Sequence, residues 1–377
     1  MPSAHIVRVC TVSRTPRVMQ MEGLFDVSPS GSSSVSWDVN LPIEGRAWNI
    51  GLIVGSSGSG KTTIARQMFG PHMVESLDWP EKQSILDAFP ASMGIKDITA
   101  LLGSVGFSSP PSWIRPYGVL SNGEKFRATV ARALAENRDL AVVDEFTSVV
   151  DRTVAKIGSA AAAKAVRARK QKLIAVSCHY DIIDWLQPDW VYDPGTDSFQ
   201  WRELRRRPRV HIEICCADNS TWKIFKRHHY LTGNLANSAR CFVGLVDGAP
   251  AAFASVISFP HATRPGWREH RTVCLPDFQG VGIGNAVSEH IAGIYRATGK
   301  PYYSATSQPA MIGHRARSPL WRMNRAPSRV GKQGKTALRR RPDMSKTLSV
   351  DRLTAGFEYI GPALIEEARS FGLNVAA

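Results

Sequence analysis

Apolar and polar residues alternate through residues 7–54, and Gly, Pro and Ser separate the apolar runs. This alternation is typical of antiparallel strands. At residues 49–54 it gives way to a mostly apolar run, NIGLIV, which predicts a short buried strand. A glycine-rich stretch comes next, and residues 63–69 (TIARQMF) are predicted to form a helix. The first clear unit of the chain is therefore a strand, a glycine loop and a helix.

Hydrophobic runs beyond this unit predict further helices and strands. Residues 120–136 are predicted to open and continue a helix, and the apolar runs at 140–143 (LAVV) and 173–177 (LIAVS) are predicted to be strands. Residues 188–208 are rich in Asp, Pro and Arg and lack periodicity, so they mark a domain boundary. Strands that alternate with helices indicate an α/β fold for this half of the chain.

The second half of the chain also alternates strands and helices. Apolar runs on both sides of Asp247-Gly248 predict a β-hairpin, because this dipeptide favours a tight turn between strands. We therefore predict two α/β domains, at 1–200 and 210–377, joined by a basic linker at 201–209. The remaining predicted elements are strands at 210–215, 271–275, 302–306 and 354–360, and helices at 220–230, up to 295, and at 362–371.

Length and composition agree with this division. A chain of 377 residues is long enough for two domains, and 43% hydrophobic with 21% charged residues is typical of globular proteins. No apolar run approaches the roughly 18 residues of a membrane span, and the N-terminal sequence lacks the apolar region of a secretion signal. The six cysteines include no C-x-x-C pair, which favours reduced thiols. We expect a cytoplasmic protein without membrane contact.

The net charge of +15 is concentrated in the second half of the chain. Residues 1–207 hold 24 Lys and Arg against 21 Asp and Glu, whereas residues 208–377 hold 23 against 11. A positive surplus confined to one half indicates a polyanionic partner, of which nucleic acid is the first candidate.

The glycine loop after the first predicted strand carries the first candidate chemistry. Residues 55–62 read GSSGSGKT, the G-x-x-x-x-G-K-[ST] pattern of a phosphate loop, between a predicted strand and a predicted helix. Its backbone N–H groups can converge on a polyphosphate at the positive end of the helix. Lys61 is expected to reach the β- and γ-phosphates, and Thr62 to bind Mg²⁺. The predicted nucleotide-binding residues are Gly55, Ser56, Gly58, Ser59, Gly60, Lys61, Thr62 and Thr63.

Three more motifs lie downstream in a characteristic order. LSNGEK at 120–125 opens a predicted helix, AVVDE at 141–145 is an apolar strand that ends in two acids, and His179 follows the strand at 173–177. Together with the phosphate loop, these stretches resemble an ABC-type ATPase domain. They are similar to its signature motif, its Walker B strand and its switch histidine, and residues 147–151 resemble its D-loop.

The resemblance to ABC-type ATPases implies ATP and Mg²⁺ as cofactors. Asp144 would bind the metal together with Thr62, Glu145 would polarise the attacking water, and His179 would contact the γ-phosphate. The contact of the Q-loop with the metal is expected at Gln83, within a helical insert that is shorter than usual. This compact insert disfavours a transporter subunit, and no transmembrane partner is encoded in the sequence.

The signature motif implies an assembly as well as a site. In the family, Ser121 and Gly123 would complete the nucleotide site of the opposite protomer, so that nucleotide drives the formation of a homodimer. This chain has Asn122 and Glu124 where the commonest signature has Gly and Gln.

A second glycine loop lies at residues 279–284, QGVGIG. Its G-x-G-x-G spacing differs from the dinucleotide motif G-x-G-x-x-G. With a strand before it and a helix after it, the loop resembles the Q/R-x-x-G-x-G/A loop of GNAT acyltransferases, within residues 210–324. The resemblance implies acetyl-CoA or another acyl-CoA, with its pyrophosphate bound by loop amides. The predicted cofactor-binding residues are Gln279, Gly280, Val281, Gly282, Gly284 and Asn285.

Acyl transfer to an amine requires a base for the amine and an acid for the departing thiolate. The predicted strand before the loop offers Glu269 and His270, which are the catalytic candidates in this half. GNAT enzymes often use a tyrosine as the acid, but the helix that would carry it here has a histidine. The alternatives to the pair are Asp277, Tyr302, Tyr303 and His314.

Residues 315–346 form a basic insert with eleven Lys and Arg, one acid (Asp343) and Trp321. Arginines beside an aromatic residue suit a phosphate backbone and a flipped base. The alternative interpretation is a solvated insert. The second half, rich in His, Tyr and Arg, is also loosely similar to Mom-type DNA-modification acyltransferases.

The sequence thus predicts an ABC-type ATPase coupled to a GNAT-like acyltransferase that modifies nucleic acid. One alternative is an ATP-dependent nucleic-acid clamp in which the GNAT-like domain is not catalytic. The other is an acetyltransferase that acts on a protein or a small amine.

Overall fold

The fold is that of a computed structural model, which describes residues 3–25, 31–74, 77–202, 210–229, 234–261, 263–329 and 353–376. Its strands, numbered along the chain, are β1 (Ser3–Thr11), β2 (Ser32–Asn40), β3 (Ile50–Val54), β4 (Met73–Val74), β5 (Leu140–Val143), β6 (Lys172–Ser177), β7 (Trp190–Asp193), β8 (Ser198–Trp201), β9 (Glu213–Ala217), β10 (Arg240–Val246), β11 (Ala249–Phe259), β12 (Gly266–Cys274), β13 (Tyr302–Thr306), β14 (Trp321–Arg329) and β15 (Leu353–Tyr359).

The α-helices are α1 (Pro16–Phe25), α2 (Lys61–Phe69), α3 (Ile95–Ser104), α4 (Pro110–Trp113), α5 (Asn122–Glu136), α6 (Arg152–Arg169), α7 (Ile182–Leu186), α8 (Trp222–Phe225), α9 (Ile283–Arg296), α10 (Pro309–Arg317) and α11 (Ile365–Ser370). The predicted α/β class is confirmed, since both of the larger sheets combine with helices. Among the described residues, no helix has the length and apolar character that crossing a membrane requires.

The chain divides into two compact units. The first comprises Met1–Leu77, Asn137–Val149 and Val166–Arg206, and the second comprises Asp78–Glu136, Val150–Ala165 and Arg207–Ala377. This division differs from the contiguous domains expected from the sequence. Residues 78–136, between β4 and β5, belong to the second unit, because α3 contacts α10 and α5 contacts the turn at Pro276–Phe278.

The first unit contains a six-stranded sheet in the order β4-β5-β6-β3-β7-β8. Neighbouring strands in this sheet are parallel, except that β7 and β8 are antiparallel. Every residue of β3 is buried, which agrees with the apolar run that predicted it. Gly51 is required in this strand because a Cβ there would lie 2.1 Å from the ring of Trp190. Strands buried on both faces are typical of parallel sheets.

The N-terminal segment of the first unit forms a separate antiparallel pair, β1 and β2, as the alternating pattern predicted. Helix α1 lies between these two strands in the sequence, and the sequence pattern did not predict it. Its start follows ordinary capping rules, because Pro16 occupies the first helical position and the Thr15 hydroxyl accepts a hydrogen bond from Val18 N at 3.4 Å.

The second unit contains a seven-stranded sheet in the order β14-β15-β13-β12-β11-β10-β9. Only the β12–β13 pair is parallel. The predicted hairpin is confirmed as β10–β11, and its turn residues Asp247 and Gly248 have φ angles of 49° and 78°. Positive φ at both central residues is the requirement of a type I′ turn.

Helices cover both faces of this sheet at different places. Helix α9 packs on one face against Phe242, Tyr302 and Phe357, which are fully buried. The short helix α8 packs on the other face through Trp222 and Phe225, near β10 and β11. The face opposite α9 therefore has helical cover at the β10–β11 end of the sheet.

The expected basic insert at 315–346 begins inside the core. Arg315 is 1% exposed and Trp321 is 5% exposed, with the guanidinium 4.2 Å from the centre of the indole ring. Trp321 also packs against Tyr359. Trp321, the aromatic residue of this insert, is therefore buried in the core. Residues 322–329 continue as β14, and residues 330–346 lie outside the described residues.

Candidate functional site

Three adjacent parallel strands of the first unit end at the same edge of the sheet. In the order β5-β6-β3, Val143 pairs with Ala175, and Val54 pairs with Ser177. Gly55 N donates to Ser177 O at 3.4 Å, directly where β3 becomes the glycine loop. The segments after these strands carry the predicted phosphate loop, the acidic pair and the histidine. Ligands of parallel sheets bind at this carboxyl edge.

The glycine loop has the backbone of a phosphate loop. Gly58 and Gly60 have φ angles of 82° and 89°, a region that favours glycine. Gly60 directly precedes α2, and no side chain caps the first amides of this helix. Lys61 Nζ donates to Ser56 O at 2.7 Å, so its ammonium group lies over the loop. The loop thus brings the Lys61 ammonium and the Ser56 carbonyl together at the start of α2.

Asp193 and Trp37 both lie close to the backbone of this loop. A Cβ on Gly55 would lie 2.8 Å from Ser59 Oγ and 3.0 Å from Asp193 Oδ1, so only glycine fits there. Trp37 Nε1 donates to Ser59 O at 3.2 Å, and the Trp37 ring lies 2.5 Å from the position of a Cβ on Gly60. Trp37 was missed from the sequence, because nothing in the alternating pattern of β2 marks one residue as a loop contact.

The acidic pair lies in a strained turn after β5. Glu145 and Thr147 have φ angles of 50° and 68°, which costs about 1–3 kcal/mol at each non-glycine residue. Phe146 N donates to Val176 O at 2.9 Å and fixes the turn against β6. Asp144 is half-buried and its Oδ1 accepts from Glu145 N at 2.9 Å, whereas Glu145 is exposed. The turn thus separates an inner carboxylate from an outer one.

The residues predicted to bind the metal all offer oxygen donors, but they do not all belong to the same unit. Thr62, the second residue of α2, offers a hydroxyl and Asp144 a carboxylate in the first unit, and hard oxygen donors suit Mg²⁺. Gln83 is exposed and lies in the second unit, before the short 3-10 helix Ile85–Ala88. Within the described residues, no group of three or more His, Cys, Asp and Glu side chains could bind a metal by themselves.

His179 follows β6 as predicted, and its backbone N donates to Ser177 Oγ at 3.2 Å. The side chain is partly exposed. The histidine therefore occupies the segment between those of the acidic pair and the phosphate loop, since β6 lies between β5 and β3.

The signature stretch in the second unit starts α5 with a capping box. Ser121 N donates to Glu124 Oε2 at 3.0 Å, and Glu124 N donates to Ser121 Oγ at 3.3 Å. The second carboxylate oxygen accepts from Ser112 Oγ at 2.7 Å. Glu124 therefore has a structural reason to be an acid, because both of its oxygens accept hydrogen bonds. Ser121 itself is exposed.

Gly123 packs tightly at the start of α5. A Cβ there would lie 2.7 Å from Asp277 Oδ1 and 3.1 Å from Val154 Cγ1. Arg127, 1% exposed, donates to Asp277 O at 2.8 Å one turn further on. The signature glycine is thus buried against the segment that precedes the second glycine loop.

The side chain of Gln279 is engaged at both ends within the second unit. Its Oε1 accepts from Ser108 N at 2.6 Å, and its Nε2 donates to Cys274 O at 2.8 Å. A Cβ on Gly280 would lie 2.6 Å from Gly106 Cα. The first two residues of the loop are therefore packed against the turn after α3.

The end of the same loop is more open. Gly282 has a φ of 98°, directly precedes α9, and has no atoms within 4 Å of an added Cβ. Val281 and Asn285 are partly exposed, and Gly284 fits against Cys274 with a Cβ distance of 3.1 Å. The uncapped first amides of α9 form the part of the predicted cofactor loop that could bind an anion.

Glu269 forms a buried ion pair with Arg315. Its Oε2 lies 2.9 Å from Arg315 Nη2, and the exposed fractions of the two side chains are 6% and 1%. Hydroxyls of Thr272, Ser288 and Ser304 also donate to this carboxylate. Burial raises the pKa of Glu269, but Arg315 and these hydrogen bonds outweigh it and hold the pKa below its usual value. A carboxylate held in this way is a weak base, which argues against its predicted catalytic role.

His270 is also engaged. Burial and the neighbouring Arg271 and Arg268 lower the pKa of His270 to about 4, so the ring is neutral at pH 7. Its Nε2 accepts from Ala236 N at 3.1 Å. Tyr302 is fully buried, and burial raises its pKa well above its usual value. These contacts favour structural roles for the ring of His270 and for Tyr302.

Comparisons with known proteins find similarity in part of the chain. No family model matches it, and no curated protein matches it. A bacterial Atm1-family ABC exporter with ATP bound is 18% identical, with a TM-score of 0.33, and the match covers 43% of this chain and 33% of the exporter chain.

Two structures of the ATP-binding cassette MJ0796 also match. The dimeric post-hydrolysis state bound to ADP and Pi is 14% identical with a TM-score of 0.37, and the match covers 53% of this chain and 100% of that one. The dimeric structure described as a bacterial ABC transporter cassette is 12% identical with a TM-score of 0.35, covering 46% and 93%. The chain is thus similar to ABC-type cassettes over about half of its length.

Proposed function

We propose that the first unit binds ATP with Mg²⁺ and hydrolyses it as an ABC-type ATPase. The observation that carries the proposal is the common edge of β5, β6 and β3, where an acidic pair, a histidine and a phosphate loop with two left-handed glycines follow adjacent strands. Each residue type in this arrangement has a role in phosphoryl transfer.

Binding begins with the loop and α2. The amides before and within the first turn of α2 would surround the β- and γ-phosphates, and Lys61, now over Ser56 O, would turn to the phosphate oxygens. Thr62 and Asp144 would hold Mg²⁺. When bound, Mg²⁺ would offset the negative charge of the phosphates.

Hydrolysis needs a group that orients and polarises water. Glu145 is exposed beside the half-buried Asp144, in a turn where the φ angle of Glu145 is 50°. Glu145 would act on the attacking water, and His179 would contact the γ-phosphate. Ser121 at the exposed start of α5, with Gly123, would complete the site of a second copy, so that ATP stabilises a homodimer.

The decisive experiment compares Glu145→Gln with Glu44→Gln, a substitution at an exposed glutamate of the first unit that precedes β3. Glu145→Gln should lower the hydrolysis rate at least a hundredfold and retain ATP binding, with ATP-dependent dimers detected by light scattering. Hydrolysis that survives in Glu145→Gln, or that falls equally in both variants, would exclude this role for Glu145.

A second function is proposed for the second unit: acyl transfer from acetyl-CoA or another acyl-CoA to nucleic acid. The observation that favours it is the open, uncapped start of α9 after Gly282. Amides of Ile283 and Asn285 would bind the pyrophosphate, whereas Gln279 and Gly280 would support the loop through Ser108 and Gly106. Glu269 and His270 would maintain the strand that leads to this loop.

The test is thermal protection of the full chain by acetyl-CoA and by free coenzyme A. At one hundred times its dissociation constant a ligand stabilises by about 2.7 kcal/mol, and Gly282→Asp should abolish this gain through charge repulsion. Absence of protection in the folded full chain would favour the ATP-dependent clamp. Protection with no mass change on DNA or RNA would favour a protein or small amine as acceptor.

A further inference from the structure

One row of side chains crosses four strands of the second sheet. Arg268 on β12 pairs with Tyr303 on β13, Tyr303 pairs with Glu358 on β15, and Glu358 pairs with Arg322 on β14. Directly paired residues on neighbouring strands lie on the same face of a sheet. Two arginines, a tyrosine and a glutamate therefore form one continuous row.

This row lies on the face opposite α9. The residues that precede Arg268, Tyr303 and Arg322 in their strands are Trp267, Tyr302 and Trp321, and all three pack in the core beneath α9. Because successive side chains of a strand alternate between faces, the row points the other way. Among the described residues of the row, only Glu358 is buried.

Positive charge exceeds negative charge on this face. Glu358 lies between Arg264 Nη2 at 2.9 Å and Arg322 Nη2 at 2.8 Å, and both arginine side chains are more than half exposed. Arg325 is exposed on the same strand as Arg322. Arg325 pairs with Gly356, two residues from Glu358 on β15, and donates to Thr354 Oγ1 at 3.1 Å. This face thus has one carboxylate and three arginines, before Arg268 is considered.

Arg268 is a partly buried cation that lacks a carboxylate partner within the described part of the chain. Its guanidinium lies 5.4 Å from the centre of the Phe259 ring, and burial lowers its pKa. By contrast, the buried Arg315 and Arg127 both have acidic neighbours. A cation that has lost part of its hydration without gaining an anion favours binding of an external one.

Aromatic rings lie among these cations. Phe259 and Tyr303 contact each other edge to face, with ring centres 5.5 Å apart, and both are partly exposed. Flat aromatic surfaces beside arginines are the combination that binds unpaired bases and their phosphates, whereas the bases of a duplex are already stacked. We define the arginine face by its six residues, Phe259, Arg264, Arg268, Tyr303, Arg322 and Arg325.

We propose that the arginine face binds a single strand of nucleic acid, with bases against Tyr303 and Phe259 and phosphates beside the arginines. The inference rests on the second proposed function, since it takes nucleic acid as the partner of this unit, and it names the strand type and the surface. The arginines supply charge complementarity to the phosphates, and the exposed ring surfaces supply the preference for unpaired bases.

The experiment measures binding of a fluorescent 15-nucleotide thymidine oligomer to the full chain by anisotropy over a range of salt concentrations. The double variant Arg322→Ala/Arg325→Ala should bind at least tenfold more weakly at low salt and reduce the salt slope by about 1.4, at about 0.7 per phosphate contact. Glu358 retains Arg264 in this variant. Tyr303→Leu should weaken binding about tenfold and leave the slope unchanged, because it removes stacking but no charge.

The matched control is Arg369→Ala, which removes an exposed arginine of the same unit that pairs with Glu366 on α11. The proposal is overturned if this variant weakens binding as much as the double variant, or if duplex DNA or polyglutamate competes as well as the oligomer. ATP hydrolysis and acetyl-CoA protection are measured on the same samples. Binding without acetyl-CoA protection retains the surface and rejects the transferase, whereas protection without oligomer binding rejects the surface.

Discussion

The two glycine loops of this protein have the same local geometry and different surroundings. Each lies between a strand and a helix, with the 3-10 helix Pro276–Phe278 between β12 and the second loop, and each has a glycine at φ near +90° directly before the helix. In the first loop the ammonium of Lys61 lies over the backbone. In the second, Gln279 bonds to Ser108 and Cys274, and only the end of the loop at Gly282 is open.

This difference shows that a glycine-loop motif specifies the backbone conformation of the loop. The motif does not specify whether the loop is free to bind a ligand. Gly60 must be glycine both for its φ and for the Trp37 ring beside it, whereas Gly282 needs glycine for its φ alone. The first loop has the ammonium group of Lys61 beside the carbonyl of Ser56. The second has amides at one end and packing contacts at the other.

The largest effect is expected from Lys61→Ala. Removing an ammonium that would contact two phosphates costs about 1.5–3 kcal/mol per charged hydrogen bond, so ATP affinity should fall on the order of a hundredfold. Calorimetric titration measures it, with Lys96→Ala, an exposed lysine of α3, as the control. Acetyl-CoA protection should be unchanged in both. Equal ATP affinity in Lys61→Ala and wild type would remove the first loop from nucleotide binding.

Gln279→Ala tests whether the second loop is held by packing. It leaves Ser108 N and Cys274 O without their partner, and an unsatisfied buried polar group costs about 1–3 kcal/mol. Stability without any ligand should therefore fall by about 2 kcal/mol in denaturant titration. Gln308→Ala removes a bond to Ser108 O and the N-cap bond from Ala310 N, and so gives the scale for another glutamine that forms two hydrogen bonds. An unchanged stability with lost acetyl-CoA protection would instead make Gln279 a direct ligand of the cofactor.

The paired substitutions Gly60→Ala and Gly282→Ala compare the two loops directly. Both add the left-handed strain of about 1–2 kcal/mol, but only Gly60→Ala also forces a Cβ to 2.5 Å from the Trp37 ring. Thermal unfolding should show a loss of about 1 kcal/mol for Gly282→Ala and a larger loss for Gly60→Ala. The reverse order would mean that the open surroundings of Gly282 are wrongly assigned.

The smallest effect is expected from His270→Gln, which changes how the stability of the protein depends on pH. His270 lies in the strand that leads into the second loop. The pKa of His270 is about 4 in the folded protein and 6.5 in its ordinary range, so the unfolded chain binds more protons between these values. Stability should be constant above pH 6.5 and fall as the pH is lowered towards 4. Urea midpoints should show a weaker pH dependence in His270→Gln than in wild type. An identical dependence in both proteins would show that His270 is not held in its neutral form.

Several local features were predictable from the sequence. The strand and helix around the first loop, the turn at Asp247-Gly248 and the bounds of β13 follow from short-range pattern and turn chemistry. The order of the motifs also placed Asp144 and Glu145 at a strand end. These features depend on residues within a few positions of each other, which is why periodicity and dipeptide signals detect them.

Other features depended on partners that are distant in sequence. Glu269 was a candidate base until its partner Arg315, 46 residues away, was known to lie beside it in the core. Trp37 reaches the first loop from a strand whose alternation marks no single residue. The segment 78–136 joins the second unit because its turn after α3 packs on Gly280, a contact that no local pattern encodes.

The sequence by itself determined the two glycine loops, the acidic pair and the excess of arginine in the second half. Only the tertiary structure decided which of these groups are available to a ligand. It placed Arg315 in a buried ion pair, and both ends of the Gln279 side chain form hydrogen bonds. It also placed Arg268 beside Phe259, without a carboxylate partner among the described residues. The physical reason is that charge and backbone shape belong to single residues and short segments. Burial and hydrogen-bond satisfaction belong to contacts between segments far apart in the chain.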